Sequence, residues 1–180
     1  MRAFEEGLEI ARQLLKDYGE TPQGLRDLSV ALNYAGDAAQ AQGRQEAAVR
    51  AYEEGMETRR RLLEKYGETH QGLRDLSVSL NKVGEVAQAQ GQQDKAAKAY
   101  AEGMEIRRRL LKEFGETPQA VLDLAIALEK VADTRHGVAA KSLYDEALML
   151  ARRLALVFQN DARGDAARER IQRREKKCAT

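Results

Sequence analysis

Few side chains in this sequence are of the kinds that do covalent or metal chemistry, and their spacing keeps them apart. There are two histidines, His70 and His136, and one cysteine, Cys178. Neither histidine has a second His or Cys at the separation of paired metal ligands. Cys178 lies in a polar tail with no histidine near it in sequence. Asp27, Asp75 and Asp123 recur at intervals of 48 residues. Acids that recur at the same position read as a structural role, because paired acids doing acid–base work need environments that differ. No glycine-rich phosphate loop follows a strand pattern. Nucleophilic, metal and nucleotide chemistry therefore have no carriers, and the expectation is a protein that is not an enzyme and takes no cofactor.

Two arginine triplets, Arg59-Arg60-Arg61 and Arg107-Arg108-Arg109, are candidate basic patches. Glu57 and Glu105 stand four residues before Arg61 and Arg109, the favourable order for a helical ion pair. The reading is a solvated outer face rather than a phosphate site. His70 reads as a first-turn surface residue, and His136 as a residue of a loop or helix end beside Gly137.

The elements that must position these residues come from an internal repeat. Gly-Glu-Thr occurs at 19–21, 67–69 and 115–117. Residues 18–65 and 66–113 align without a gap at 33 identical positions of 48. A third copy begins at Phe114 and drifts. Leu124, Leu128 and Val131 keep the 48-residue step, but Tyr144 follows Tyr100 by 44. The four missing residues amount to about one helical turn. Phe4, Gly7, Leu14, Leu15 and Tyr18 match Tyr52, Gly55, Leu62, Leu63 and Tyr66, so the chain opens inside the second half of a repeat. The expected organisation is a half-repeat at 1–19, repeats at 20–67, 68–115 and 116–158, and a polar capping helix at 159–180. That tail, counted from 161, holds seven basic and four acidic residues with little apolar content.

Each repeat reads as two helices of about 21 residues, each roughly 30 Å long. Thr21 is placed to cap the first helix and Pro22 to open it. Leu25, Leu28, Leu32, Ala35 and Ala39 form its core stripe, with Leu73, Leu76, Leu80, Val83 and Ala87 in the second copy. Gly43 and Gly91 supply the turn. The second helix runs from about Gln45 to Tyr66, with Ala48, Tyr52, Gly55, Leu62 and Tyr66 on one face. A single hairpin of this kind cannot bury its apolar side, and stacking several makes one core. Gly36, Gly55, Gly84 and Gly103 recur inside helices, where each costs about 1 kcal/mol relative to Ala, so close helix approach is expected there.

Leu32, Gly36, Ala39, Gly43, Ala48, Tyr52 and Gly55 form a small-residue pattern that recurs at Leu80, Gly84, Ala87, Gly91, Ala96, Tyr100 and Gly103. The pattern resembles the tetratricopeptide-repeat family, over roughly residues 1–158. The period of 48 departs from the family's usual 34, and is similar to long-helix variants found in bacterial multidomain proteins and kinesin light chains. HEAT-like repeats have periods near this length, but the Gly/Ala/Tyr pattern favours the first family. The resemblance implies an all-α fold, a right-handed superhelical solenoid of antiparallel helix hairpins. It also implies a protein-interaction scaffold whose first helices line a concave groove.

Projected onto this chain, the family's groove positions are Asn33, Asp37 and Gln40 in the first copy, Asn81, Glu85 and Gln88 in the second, and Glu129 and Asp133 in the third. Asp37, Glu85 and Asp133 would then stack into an acidic row. That row points to a protein or peptide partner of basic or amide-rich character, and away from the carboxylate clamps of the family, which use Lys, Arg and Asn. The alternative is a structural role: self-association through Phe4, Leu8, Leu14 and Leu15, or a spacer in a larger protein.

Composition sets the remaining bounds. Thirty basic against twenty-nine acidic residues give a formal charge of +1, which argues against a dedicated nucleic-acid binder. No apolar run approaches the roughly 18 residues of a membrane span. The start of the chain has no apolar stretch like that of a signal peptide, and a lone cysteine fits a reducing compartment. The expected location is the cytoplasm.

Overall fold

The computed structural model describes the backbone of residues 2–157 and 162–178, and among these residues every regular element is an α-helix. In chain order they are α1 (Arg2–Tyr18), α2 (Pro22–Ala41), α3 (Gln45–Tyr66), α4 (His70–Ala89), α5 (Gln93–Phe114), α6 (Pro118–Ala132), α7 (Gly137–Val157) and α8 (Ala162–Cys178). The architecture is the all-α helical-repeat class that the sequence pattern predicts. The boundary expected at 158/159 falls within residues 158–161, outside the described residues.

The helix starts follow the local chemistry of the sequence. The hydroxyls of Thr21, Thr69 and Thr117 accept hydrogen bonds from the amides of Gly24, Gly72 and Ala120, at 3.0, 3.0 and 3.1 Å. Such caps each contribute about 1 kcal/mol. Pro22 and Pro118 open α2 and α6, and the exposed His70 takes that place in α4. Gly43 and Gly91 both adopt φ +72°, a left-handed conformation that lets α2 turn into α3 and α4 into α5. The register slip of the third copy lies in its first helix. α6 has 15 residues where α2 and α4 have 20.

The chain divides into two compact units, residues 1–96 and 97–180. In the first, α1 packs on α2, α2 on α3 and α3 on α4. Leu25, Leu32, Ala48 and Tyr52 are fully buried there. Leu8 and Leu15 of α1 close over Ala11, Leu28 and Leu32. In the second unit, α6 packs on α7, and α8 covers both. Val121, Leu128, Tyr144, Leu154 and Ile171 fill its core. Burying each of these side chains contributes on the order of 2 kcal/mol.

Three expectations are corrected here. Arg59 and Arg107 are only 6% and 8% exposed, not part of a solvated face. Successive helical residues point about 100° apart, so three in a row cannot all face water when the helix is packed on two sides. The ion pairs also differ: Arg61 turns to Glu20 at 3.2 Å, while Glu57 faces Arg60 and Glu105 pairs with Arg108 at 3.1 Å. Tyr66, expected on the buried face, is 40% exposed, and its hydroxyl instead ties down the loop before α2 through Glu20 O at 2.6 Å.

Candidate protein-binding surface

The projected groove residues of the first unit lie on α2 and α4, which are held side by side from below. The Arg59 guanidinium rises from α3 between them. Its Nε donates to Ser29 Oγ of α2 at 3.2 Å, and its Nη1 donates to Ser79 Oγ at 2.7 Å and to the Asp75 carbonyl, both of α4. Burial lowers the pKa of this guanidinium from its ordinary value, yet it stays a cation, and its donors are spent on neutral oxygens. One side chain from α3 thereby sets the spacing of the two helices that would meet a partner.

Above this clamp, Asp37 is the acceptor at the centre of a second junction. The Tyr52 hydroxyl donates to Asp37 Oδ1 at 2.6 Å, with Gln40 Oε1 at 3.1 Å from the same hydroxyl. Lys82 Nζ of α4 reaches Asp37 Oδ1 at 2.7 Å and stands 5.6 Å from the Tyr52 ring centroid. Partial burial alone would raise the Asp37 pKa, but hydrogen bonds from Lys82 and Tyr52, with the Lys82 charge, outweigh it and hold the carboxyl below its ordinary value. Tyr52 moves the other way: burial, then its bond to the Asp37 carboxylate, raises the phenol.

The second unit repeats the arrangement with its own residues. Tyr144 donates to Asp133 Oδ1 at 2.6 Å, and Arg174 of α8 reaches Asp133 Oδ2. Arg174 is the counterpart of Lys82 once the 44-residue step is applied. Arg170 and Arg174 also grip Glu129, at 2.6 and 2.9 Å, and the Glu129 side chain is 3% exposed. A partner would have to displace α8 to reach Glu129, while the Asp133 side chain is half-buried.

Asn33 and Asn81 are half-buried, and their amide oxygens accept no hydrogen bond. The Asn33 oxygen lies towards Gly55 of α3, where no side chain intervenes. Gln40 and Gln88 are exposed, and Glu85 is half-buried. Three exposed residues on the same helices escaped the sequence reading: Val30 and Tyr34 of α2 and Val78 of α4, at 38%, 53% and 39% exposure. Their signal is that Val30 and Val78 recur at 48 yet fall off the Leu25–Leu28–Leu32 stripe. Among the described residues, no group of three or more His, Cys, Asp or Glu side chains could hold a metal ion.

Paired helices with small residues at their crossings, repeated in register, now stand beside a direct match. Residues 28–71 and 76–114 match the model of the tetratricopeptide repeat. The chain carries tetratricopeptide repeats. The crystal structure of BtubC (BKLC) from P. vanneervenii is similar over 94% of this chain and 70% of that one, at 18% identity and a TM-score of 0.56. The crystal structure of the de novo designed helical repeat protein DHR64 aligns over 99% of this chain and 92% of that one, at 18% identity and a TM-score of 0.38. The DHF58 filament aligns over 98% and 96%, at 18% identity and a TM-score of 0.40. No curated protein matches the sequence. Tetratricopeptide repeats generally mediate protein–protein interaction, and such helical-repeat proteins are typically scaffolds rather than enzymes. No helix among the described residues is long and apolar enough to cross a membrane.

Proposed function

We propose that this protein is an interaction scaffold that holds a segment of a partner protein along the open side of α2 and α4. The observation that carries this reading is the exposed apolar set Val30, Tyr34 and Val78, on the two helices that Arg59 locks side by side. A partner segment gains by covering these side chains. Asn33, Gln40, Asn81 and Gln88 border them and offer amides to its backbone. Asp37 and Glu85 set the charge of the rim. Because Lys82 already neutralises Asp37, specificity in this reading comes from shape and apolar contact more than from a row of free acids. The setting is intracellular, and the partner is a protein rather than nucleic acid.

The test is affinity capture with the wild type and with Val30→Ser/Tyr34→Ala/Val78→Ser. All three side chains are exposed, so the variant keeps its helical content. A photo-crosslinking residue at position 34 should label the captured partner directly. Loss of capture with an unchanged circular dichroism spectrum supports the groove; undiminished capture by the folded variant sinks it. The exposed Ile10, Leu14 and Tyr18 of α1 favour a second reading, in which that helix packs against a helix of another chain. Under this reading capture survives the groove variant and is lost in Ile10→Ser/Leu14→Ser.

A further inference from the structure

The outer face of α7 differs from the same face of the other second helices. Positions that hold Glu57 and Glu64 in α3, and Glu105 and Lys112 in α5, hold Met149 and Leu156 in α7. Glu46 and Asp94 likewise correspond to Val138. These three apolar side chains are 60%, 77% and 86% exposed, so nothing in the unit's own packing asks for the change. Met149 and Leu156 line a shallow, mostly apolar depression with Leu148, Asp145, Arg152 and Arg153. Replacing charges by large apolar groups on a solvated helix face is the signature of an interaction surface.

The charges beside this stripe say what covers it. Arg12 and Arg108, at the position of Arg152 in α1 and α5, each reach a glutamate on the next second helix: Glu54 and Glu146. Arg152 holds the same place on α7 and is exposed. Asp145 stands seven residues before Arg152, two helical turns away on the same stripe. Among the described residues it pairs with Lys141, at 3.4 Å between two exposed side chains. An antiparallel second copy of α7, related by a two-fold axis near residues 148 and 149, would bring Asp145 opposite the other Arg152 and Arg152 opposite the other Asp145. The same axis sets the exposed Met149 beside Met149 of the other copy. A self-complementary pattern of this kind is what an isologous interface requires. Arg153 is held by Glu116 at 2.9 Å and stays at the rim.

We propose that this face of α7 is a homodimer interface, in which two copies pair α7 against α7 in antiparallel fashion. One helix pair buries less than a standard interface, so the dimer is weak and forms with rising concentration. It is separate from the α2–α4 surface, and the variants that test that surface leave α7 unchanged.

The test is sedimentation velocity of the full chain up to about 1 mM, near the weakest affinity that counts as binding. The wild type should move from monomer to dimer over this range. Met149→Glu/Leu156→Lys, which installs the residues that α5 already carries at these positions, should remain monomeric with unchanged circular dichroism. Asp145→Arg and Arg152→Asp alone should each weaken the dimer about tenfold or more, and the two together should restore most of it, as a cycle of paired charges does. A wild type that stays monomeric throughout overturns the proposal, even if the patch captures another protein. A dimer indifferent to Met149→Glu/Leu156→Lys, or a double charge swap no better than either single one, overturns it as well.

Discussion

Gly36 gives the sharpest test of how the hairpins are packed. A methyl group added at Gly36 would meet Tyr52 Cε1, Cδ1 and Cζ at 2.5, 2.7 and 2.9 Å. Those atoms belong to a fully buried ring whose hydroxyl is fixed to Asp37 at 2.6 Å. The ring has to shift by close to an ångström, and its hydroxyl then leaves the carboxylate. Overpacking of this kind costs roughly 1–3 kcal/mol, and the strained hydrogen bond to a charged group adds about 1 kcal/mol. Against this stands about 1 kcal/mol of gained helix propensity. Gly36→Ala should therefore destabilise by about 1–3 kcal/mol. Gly55 provides the contrast, since its added methyl would find its nearest neighbours at 3.4 Å, an ordinary contact. Gly7 in α1 would meet nothing within 4 Å. Gly55→Ala should be close to neutral, and Gly7→Ala should stabilise by up to about 1 kcal/mol. Urea unfolding followed by circular dichroism orders the three, read at the earliest transition because repeat arrays can unfold in parts. A Gly36→Ala protein as stable as the wild type would refute the packing argument, and equal losses at Gly36 and Gly55 would refute the ranking.

Three further outcomes follow from the same contacts. The Asp37 carboxyl has a folded pKa below its unfolded value of about 3.9, so its contribution is complete above that value and is lost as pH falls through the folded pKa. Asp37→Asn should lower stability at neutral pH by up to about 1 kcal/mol, a figure already reduced for its solvent exposure, and this difference from the wild type should vanish in acid titrations taken below the folded pKa. Arg59→Ala strips the partners from Ser29, Ser79 and the Asp75 carbonyl and leaves a cavity, a loss of about 2–4 kcal/mol. The second unit holds Ala151 of α7 and Ile171 of α8 at the positions of Arg59 and Ser79, both buried, so Arg59→Ala/Ser79→Ile should recover part of that loss in thermal unfolding; no recovery would mean the two junctions are not interchangeable. Removing the guanidiniums that grip the buried Glu129 leaves its carboxylate unpaired, a change that costs about 3–5 kcal/mol. Arg170→Ala/Arg174→Ala should then expose the α8 amides to hydrogen exchange, and retained protection would show that Ile171 and Ala167 suffice to hold the helix.

The hairpins were readable because their signals are local. Thr21, Thr69 and Thr117 each lie within three residues of the amide they cap, and Gly43 and Gly91 make their turns wherever the rest of the chain lies. The core stripe of α4 follows from helical spacing alone, and Leu73, Leu76, Leu80, Val83 and Ala87 are all buried. The engagement of Asp37 was not readable in the same way. Lys82 lies 45 residues on, Arg174 lies 41 beyond Asp133, and Tyr52 and Tyr144 lie 15 and 11 residues past their acids. Those separations become contacts only when it is known which faces of successive helices meet. The arginine triplets failed for a related reason: composition shows a basic run, and only the two packing directions of a second helix decide which of the three turns inward.

Within a repeat protein, the positions that change while keeping their exposure are the informative ones. Position 34 and its counterparts read Tyr34, Lys82, Lys130 and Arg174. Lys82 and Arg174 reach back to Asp37 and Asp133, and Lys130 stands over the Tyr100 ring at 5.2 Å. Lys82 and Arg174 thus each join one first helix to the one before it. In α2 the position holds an exposed tyrosine, Tyr34. The same logic applies on the opposite side of the repeat, where charges in α3 and α5 give way to Met149 and Leu156 in α7. Both changes put an exposed apolar or aromatic group where the other copies hold a charge, and such a group gains when something covers it. A stability role would have left the charges in place, since they cost nothing in water. Covering by a partner is the one setting in which these substitutions lower the free energy.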